Sequence, residues 1–518
     1  MNIEHVEKSY QELESDSTLQ NLIAQANARY ILYNTEESKE NFPRYTIKDE
    51  QLNILAFKYL NIGCNYFSEH NYLKASHSLE KGALILEYIH GSIHIQTKNK
   101  KLFCLISALS YYVCFQYSKA FILIGKLESD TMISSLVSLF LNRKFDQLLS
   151  EIDKLITNSS YGDEYLAEHF EEDNATKIYE IIIAKSLNYY VQFYQTGNKD
   201  FLEIAKKDLV NLQEVAAMRG EPDVWWVIRL LLLIIDGFKE SSLWYVLGNY
   251  FNTEDKLPLK YIQSLVYKNG SITELFLTQR NSLPKVLNNK QGSIVSIPTS
   301  SGKTRIGEIA LLNCLLNEPK AKILFIAPYR SLAYEIENSF DEIFSNLDVS
   351  VSHLYGGSLF SKLDERIIDE SSVIVATPEK AKALFRSNED ILSCIKLVII
   401  DEGHLLGTDK RLIVNEMFYE ELKYHVKANG GRFLLLSAVL PNAEDLSEWL
   451  TDSTDNVYKE NWRPSDERIG IMEWNGVSVN LNWKSTDAER NSFNPNFIMR
   501  QKLPKKPKER IMHYFPEN

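Results

Sequence analysis

One stretch limits more than any other how this chain can fold. The short apolar run Ser293-Ile294-Val295-Ser296-Ile297 meets the turn Pro298-Thr299-Ser300-Ser301-Gly302-Lys303-Thr304. A helix-like run follows at once, Glu308-Ile309-Ala310-Leu311-Leu312. A glycine-lysine-threonine turn between a buried strand and a helix brings backbone amides and the positive helix end to one point, where a phosphate fits. Gly302 lets the amides approach phosphate oxygens. Lys303 is placed to reach the β- and γ-phosphates, and the Thr304 hydroxyl to join a Mg²⁺ shell. The strict form of this pattern wants glycine at 297, where the chain has Ile297.

A second piece belongs with the first. Lys396-Leu397-Val398-Ile399-Ile400 reads as a buried strand and ends on Asp401-Glu402-Gly403-His404. Adjacent carboxylates at a strand tip can divide two tasks. Asp401 would hold Mg²⁺, and Glu402 would position and deprotonate an attacking water. The surrounding rhythm agrees. Apolar runs at 293–297, 322–327, 349–354, 372–377, 396–400 and 432–437 alternate with helical stretches. Several are apolar throughout, as strands covered on both faces of a parallel sheet should be. Such alternation predicts an α/β fold with crossover helices.

Residues 1 to about 270 read differently. Aliphatic and aromatic residues recur there at helical spacing, and no glycine-rich loop interrupts them. Ile62-Gly63, Tyr66, Ala75 and Leu79 resemble the small and aromatic positions of tetratricopeptide repeats, with an echo at Ala108, Tyr111, Tyr117, Ala120 and Ile124. The echo comes at a longer offset than a true repeat period, so a degenerate stack of helical hairpins is expected. The fold class is therefore α plus α/β: an N-terminal helical, hairpin-like region, then one parallel-sheet phosphate-loop domain. The polar stretch 158–176 marks a division. The expected domains are 1–160 and 161–270, both helical, 271–460 for the α/β domain, and 461–518 as a connector.

Composition narrows the function classes. Net charge is −12, so any nucleic-acid contact must be a local groove and not a global field. Five scattered cysteines show no CxxC pair, which argues against structural zinc and for a reducing compartment. The acidic start is no secretory signal. The most apolar stretch, Val224–Ile235, is broken by Arg229 and is too short to span a bilayer. A cytoplasmic protein without a membrane segment is expected.

The set of motifs resembles superfamily-two DExH-box helicases, in particular their superkiller-like branch, over about 271–470. PTSSGKT matches motif I, and DEGH matches motif II with glycine at the third place. SAVLPN (437–442) resembles motif III, APYRSLAYE (327–335) motif Ia, and TPEK (377–380) motif Ib. ELFLTQRNSL (274–283) resembles the upstream glutamine motif, and NWRPSDERIG (461–470) the connector that leads to a second motor domain. Layouts of helical region plus helicase also resemble bacterial antiphage defence helicases.

The resemblance implies an ATP- and Mg²⁺-dependent motor built on a RecA-like domain, acting on DNA or RNA. Pro298, Thr299, Ser300, Ser301, Gly302, Lys303 and Thr304 would hold the phosphates, with Gln279 reading adenine. Thr304 and Asp401 would hold the metal, and Lys303, Asp401 and Glu402 would serve catalysis. Pro328, Tyr329, Arg330, Gly356, Gly357, Thr377 and Pro378 would line a track for one nucleic-acid strand. His404, Ser437 and Ala438 would couple nucleotide state to grip, although Val439 stands where the family usually has threonine.

Such motors close ATP between two RecA-like domains, and the residues after Arg463-Pro464 are too few for a second. The chain is therefore expected to be the N-terminal portion of a helicase, with that second domain supplied in trans or lost. Its helical region would receive a partner protein. A rival reading is an ATP-binding scaffold that recruits an effector in a defence complex.

Overall fold

The computed structural model describes residues 3–34, 49–91, 100–127, 131–158, 172–352, 362–387, 390–405, 410–438, 440–463, 470–474 and 479–483. The expected boundary at 160/161 lies outside the described residues, as do Gly356, Gly357, Val439, Pro464 and the basic tail after 483. The chain divides into two compact units, Met1–Asp130 with Ser465–Asn518, and Thr131–Pro464.

The first unit holds six helices among the described residues: α1 (Ile3–Ser15), α2 (Ser17–Asn34), α3 (Asp49–Ser68), α4 (Tyr72–His90), α5 (Lys100–Val113) and α6 (Tyr117–Gly125). Helices consecutive from α3 to α6 pack on one another, as hairpins do. The repeat-like positions form their core: Tyr66, Ala75, Leu79, Ala108, Tyr111 and Ala120 are all buried. The aromatics here are packing residues, each large ring removing apolar area from water.

The second unit opens with a helical lobe: α7 (Met132–Leu141), α8 (Phe145–Asn158), α9 (Glu172–Thr196), α10 (Asp200–Arg219), α11 (Pro222–Ser241), α12 (Leu243–Gly248) and α13 (Lys256–Tyr267). Thr131 and Ser134 cap α7 reciprocally, satisfying amides that the first turn leaves open. The apolar stretch around 224–235 lies in α11, which Pro222 starts at its first turn and which is buried along most of its length. No described helix is long and apolar enough to cross a membrane.

Next come α14 (Leu277–Leu287), β1 (Gly292–Ser296), α15 (Lys303–Asn317), β2 (Lys322–Ile326), α16 (Arg330–Phe344), α17 (Lys362–Glu370) and β3 (Val373–Ala376). They are followed by α18 (Pro378–Ser387), α19 (Asp390–Cys394), β4 (Ile395–Ile400), α20 (Lys410–Ala428), β5 (Arg432–Ser437), α21 (Ala443–Thr451) and β6 (Val457–Lys459). The six strands form one sheet in the order β3-β2-β4-β5-β1-β6. Every pairing is parallel. β1 and β4 flank β5, so the segments that follow these three strands emerge side by side at one edge of the sheet. That edge is where open parallel sheets bind ligands.

One expectation needs correction. The run at 349–354 is no full strand: among the described residues it makes one bridge, Val351 to Val373, at the β3 edge. Sequence reading also missed β6, whose three residues are too few and too polar to show periodicity, and a hairpin of β7 (Gly470–Trp474) and β8 (Val479–Trp483).

Candidate nucleotide site

The phosphate loop runs from the end of β1 into α15. Ser300 and Gly302 take left-handed backbone, φ 66° and 76°, on either side of Ser301. Alternating hand in a turn curls successive amides inwards, the geometry of an anion nest. Pro298 and Ser301 are buried, while Thr299 and Ser300 are exposed. Lys303 begins α15, with its side chain 9% exposed.

Gln279 braces this loop from α14. Its side-chain oxygen accepts from the Phe276 amide at 2.8 Å, and its Nε2 donates to the Gly302 carbonyl at 3.0 Å. The Thr278 hydroxyl donates to the Ser301 carbonyl at 3.4 Å. The glutamine assigned to adenine is thus also a strut for the phosphate loop. Phe276 and Trp462 bring their rings to 6.1 Å beside it.

Asp401 and Glu402 leave the tip of β4. The Asp401 amide donates to the Ile326 carbonyl, which keeps the aspartate in line with β2. Its carboxylate accepts from the Glu402 amide at 2.9 Å. Burial, and then the neighbouring Glu402 carboxylate, push Asp401 up to about 6. Glu402 has φ 51° and holds two partners on one oxygen, Lys303 Nζ at 3.2 Å and His404 Nδ1 at 3.1 Å. Motif I and motif II therefore meet through side chains, although 99 residues separate them. Glycine at 403 has a packing cause: a Cβ there would come within 2.6 Å of Leu435 on β5.

The segment after β5 closes the group. Ser296 on β1 donates to the Ala438 carbonyl at 3.3 Å and accepts from the Leu440 amide at 2.9 Å. The Ile297 amide donates to the Ser437 carbonyl. Sequence reading did not single out Ser296 or Thr278, and a polar residue at the tip of an apolar strand was the available signal. The Ser301 and Ser437 hydroxyls are fully buried and have no hydrogen-bond partner among the described residues. Buried hydroxyls left so beside a cation-and-carboxylate cluster suit a polar ligand.

The track candidates sit elsewhere on the same edge. Tyr329 and Arg330 follow β2 and start α16, both exposed. Thr377 and Pro378 follow β3 and start α18, where the Thr377 hydroxyl accepts from the Lys380 amide. The structure thus places two helix N-termini beyond β2 and β3, apart from the β1-β5-β4 cluster.

Residues 277–446 match the family model of the DEAD/DEAH box helicases. This part of the chain is a DEAD/DEAH box helicase domain. Over 500 residues, 96% of the chain, the sequence is 40% identical to the Hachiman protein HamB of Bacillus cereus, of which it spans 44%. Over 218 residues, 42% of the chain, it is 33% identical to the ATP-dependent DNA helicase Hel308 of Thermococcus kodakarensis, of which it spans 18%. The chain thus spans less than half the length of these relatives. Among solved structures, the DUF1998 helicase MrfA bound to DNA and AMPPNP is similar over 40% of this chain and 30% of its own, at 19% identity and TM-score 0.35.

The helicase domain fits Mg²⁺-ATP by its own donor set. Paired left-handed residues, a lysine, and two unpartnered hydroxyls suit phosphate. A metal needs few protein ligands here, because Mg²⁺ commonly keeps waters and takes the rest from phosphates. Thr304 and Asp401 are the candidates for that role. No group of three or more His, Cys, Asp or Glu side chains that could hold a metal by themselves occurs among the described residues.

Proposed function

We propose that the chain carries the ATP-binding motor domain of an ATP-dependent nucleic-acid helicase or translocase that acts in antiphage defence. The observation that carries this reading is the meeting of Lys303, Glu402 and His404 at the mouth of the phosphate loop. The defence role rests on the likeness to HamB across both the helical and the helicase parts. Mg²⁺-ATP would supply the phosphoryl group and the charge that the loop recognises.

In this reading Lys303 exchanges its carboxylate partner for phosphate when nucleotide enters. That exchange frees Glu402 to orient a water and accept its proton, with His404 still on the same carboxylate oxygen. Asp401 and Thr304 would hold the metal. Ser296 and Ser437 link the loop to motif III, so a shift at the phosphate reaches the 438–442 segment. Tyr329, Arg330, Thr377 and Pro378 hold the nucleic-acid backbone through amides, hydroxyls and charge, a sequence-blind contact. A second RecA-like domain closes the site and brings the arginine fingers, while the helical region receives a partner protein. A cytoplasmic setting suits the five free cysteines, four of them buried.

The test is ATP turnover with and without single-stranded DNA or RNA. Fingers are worth on the order of 10³–10⁵ in turnover, so the 518-residue chain alone should hydrolyse ATP barely above background. Adding the second domain, in cis or in trans, should restore turnover that nucleic acid stimulates. Glu402→Gln should abolish it while keeping ATP binding. If neither nucleic acid stimulates the completed protein, the motor reading fails, and the scaffold that recruits an effector takes its place.

A further inference from the structure

The helical lobe grips the nucleotide site at two places. The first is Glu274, just ahead of the glutamine motif, with its side chain 1% exposed. Arg143 Nη2 lies 3.3 Å from its carboxylate and Nη1 donates to the Ser271 carbonyl, while the Tyr194 hydroxyl donates to Glu274 from α9. Backbone bonds run from Leu243 to Thr273 and from Leu275 to Ser241. The strand-like entry to Phe276 and Gln279 is thereby fixed to α11 and α12.

The second place is the phosphate helix itself. Glu308, one turn into α15, has a side chain 1% exposed, and Arg305 bonds it from the same helix. Tyr261, fully buried on α13, donates its hydroxyl to the same carboxylate at 3.1 Å. Arg305 follows Thr304 directly, and positions three apart share a helix face. The tyrosine therefore holds the rotation of the first turn, whose amides are the ones that meet phosphate. Nothing in the chemistry assigned to Lys303, Asp401 and Glu402 uses Tyr261, Arg305 or Glu308.

We infer that Glu308 is a positioning residue for the phosphate loop, held by Tyr261 of the helical lobe and by Arg305, and that the lobe thereby sets ATP affinity. The inference rests on the nucleotide-site reading above and adds a control point to it. A displaced lobe would release Glu308 and loosen the first turn of α15. A misplacement of the order of 1 Å at such a site costs about a hundredfold in rate, so a hydroxyl remote from the ligand is enough to matter.

Tyr261→Phe removes the hydroxyl and Glu308→Gln removes the carboxylate charge, both at nearly constant volume, and both would be made in the full chain. Two readouts separate positioning from mere stability. Without nucleotide, hydrogen exchange should quicken at the amides of 300–305 in both variants. With Mg²⁺-ATP, calorimetry should show the dissociation constant rising about tenfold, as expected for a bond to a charged group, at an unchanged number of sites per chain. The double variant should be no worse than the weaker single. A purely structural role would instead lower the number of competent sites at the same affinity, and that result overturns the inference. So does unchanged exchange at 300–305 in both variants. Should the unaltered chain fail to bind ATP, the proposed function falls, and the exchange measurement still decides the positioning role.

Discussion

A methyl group on residue 302 would lie 2.1 Å from Gln279 Nε2, and the backbone there has φ 76°. Both facts demand glycine, one for space and one for hand. A non-glycine residue in left-handed backbone costs about 1–2 kcal/mol. Gly302→Ala should therefore lower stability in urea by about that amount and remove nucleotide binding, because Gln279 must leave the loop. Adding Gln279→Ala should recover part of the stability by opening the space, without recovering binding. An unaltered unfolding midpoint for Gly302→Ala would show that the strut between Gln279 and the loop is not as drawn. At Asp401 the same scale governs charge. Burial beside Glu402 favours the protonated carboxyl, so apo stability from this group is greatest at low pH and declines as pH rises through about 6.

Helix α1 is held to its neighbours by a seam with a two-turn repeat. Lys74 bonds Glu7 and Lys81 bonds Glu14, each at 2.6 Å, while the hydroxyls of Tyr66 and Tyr59 donate to the same two carboxylates. Residue numbers rise together along α1 and α4 and fall along α3, so the three axes alternate. The Lys74 ammonium and the Tyr66 hydroxyl hold Glu7 near 2. Burial pushes Glu14 up, but His77 and Lys81 outweigh it and hold it near 2 as well. Both carboxylates thus lie below their ordinary value. The seam is complete above about 4.5 and is lost as pH falls towards 2. Hydrogen exchange, corrected for its intrinsic pH dependence, should show α1 losing protection before α3 and α4 across that range. Protection of α1 that is flat with pH, or lost only together with α4, would count against the seam.

At the scale of the molecule, the helicase domain was legible because its signals are local. β1, β2, β4 and β5 are buried over nearly all their length and read as largely apolar runs. The phosphate loop and the Asp401-Glu402 pair each sit at the end of one. The helical character of the first 270 residues was legible from periodicity. What stayed hidden is pairing between distant residues. Glu308 looks like an ordinary helix glutamate until Tyr261, 47 residues earlier, is seen against it. Arg143 and Glu274, 131 apart, are equally silent in sequence. The run at 349–354 misled because apolar content does not show whether a sheet edge will accept a full strand. In the proposed function the loop after β1 and the carboxylates after β4 make one Mg²⁺-ATP site. Calorimetric titration of Mg²⁺-ATP into the chain and into Lys303→Ala tests it most directly. One site per chain is expected, absent in Lys303→Ala at an unchanged melting temperature. Equal affinity in the two proteins would contradict it.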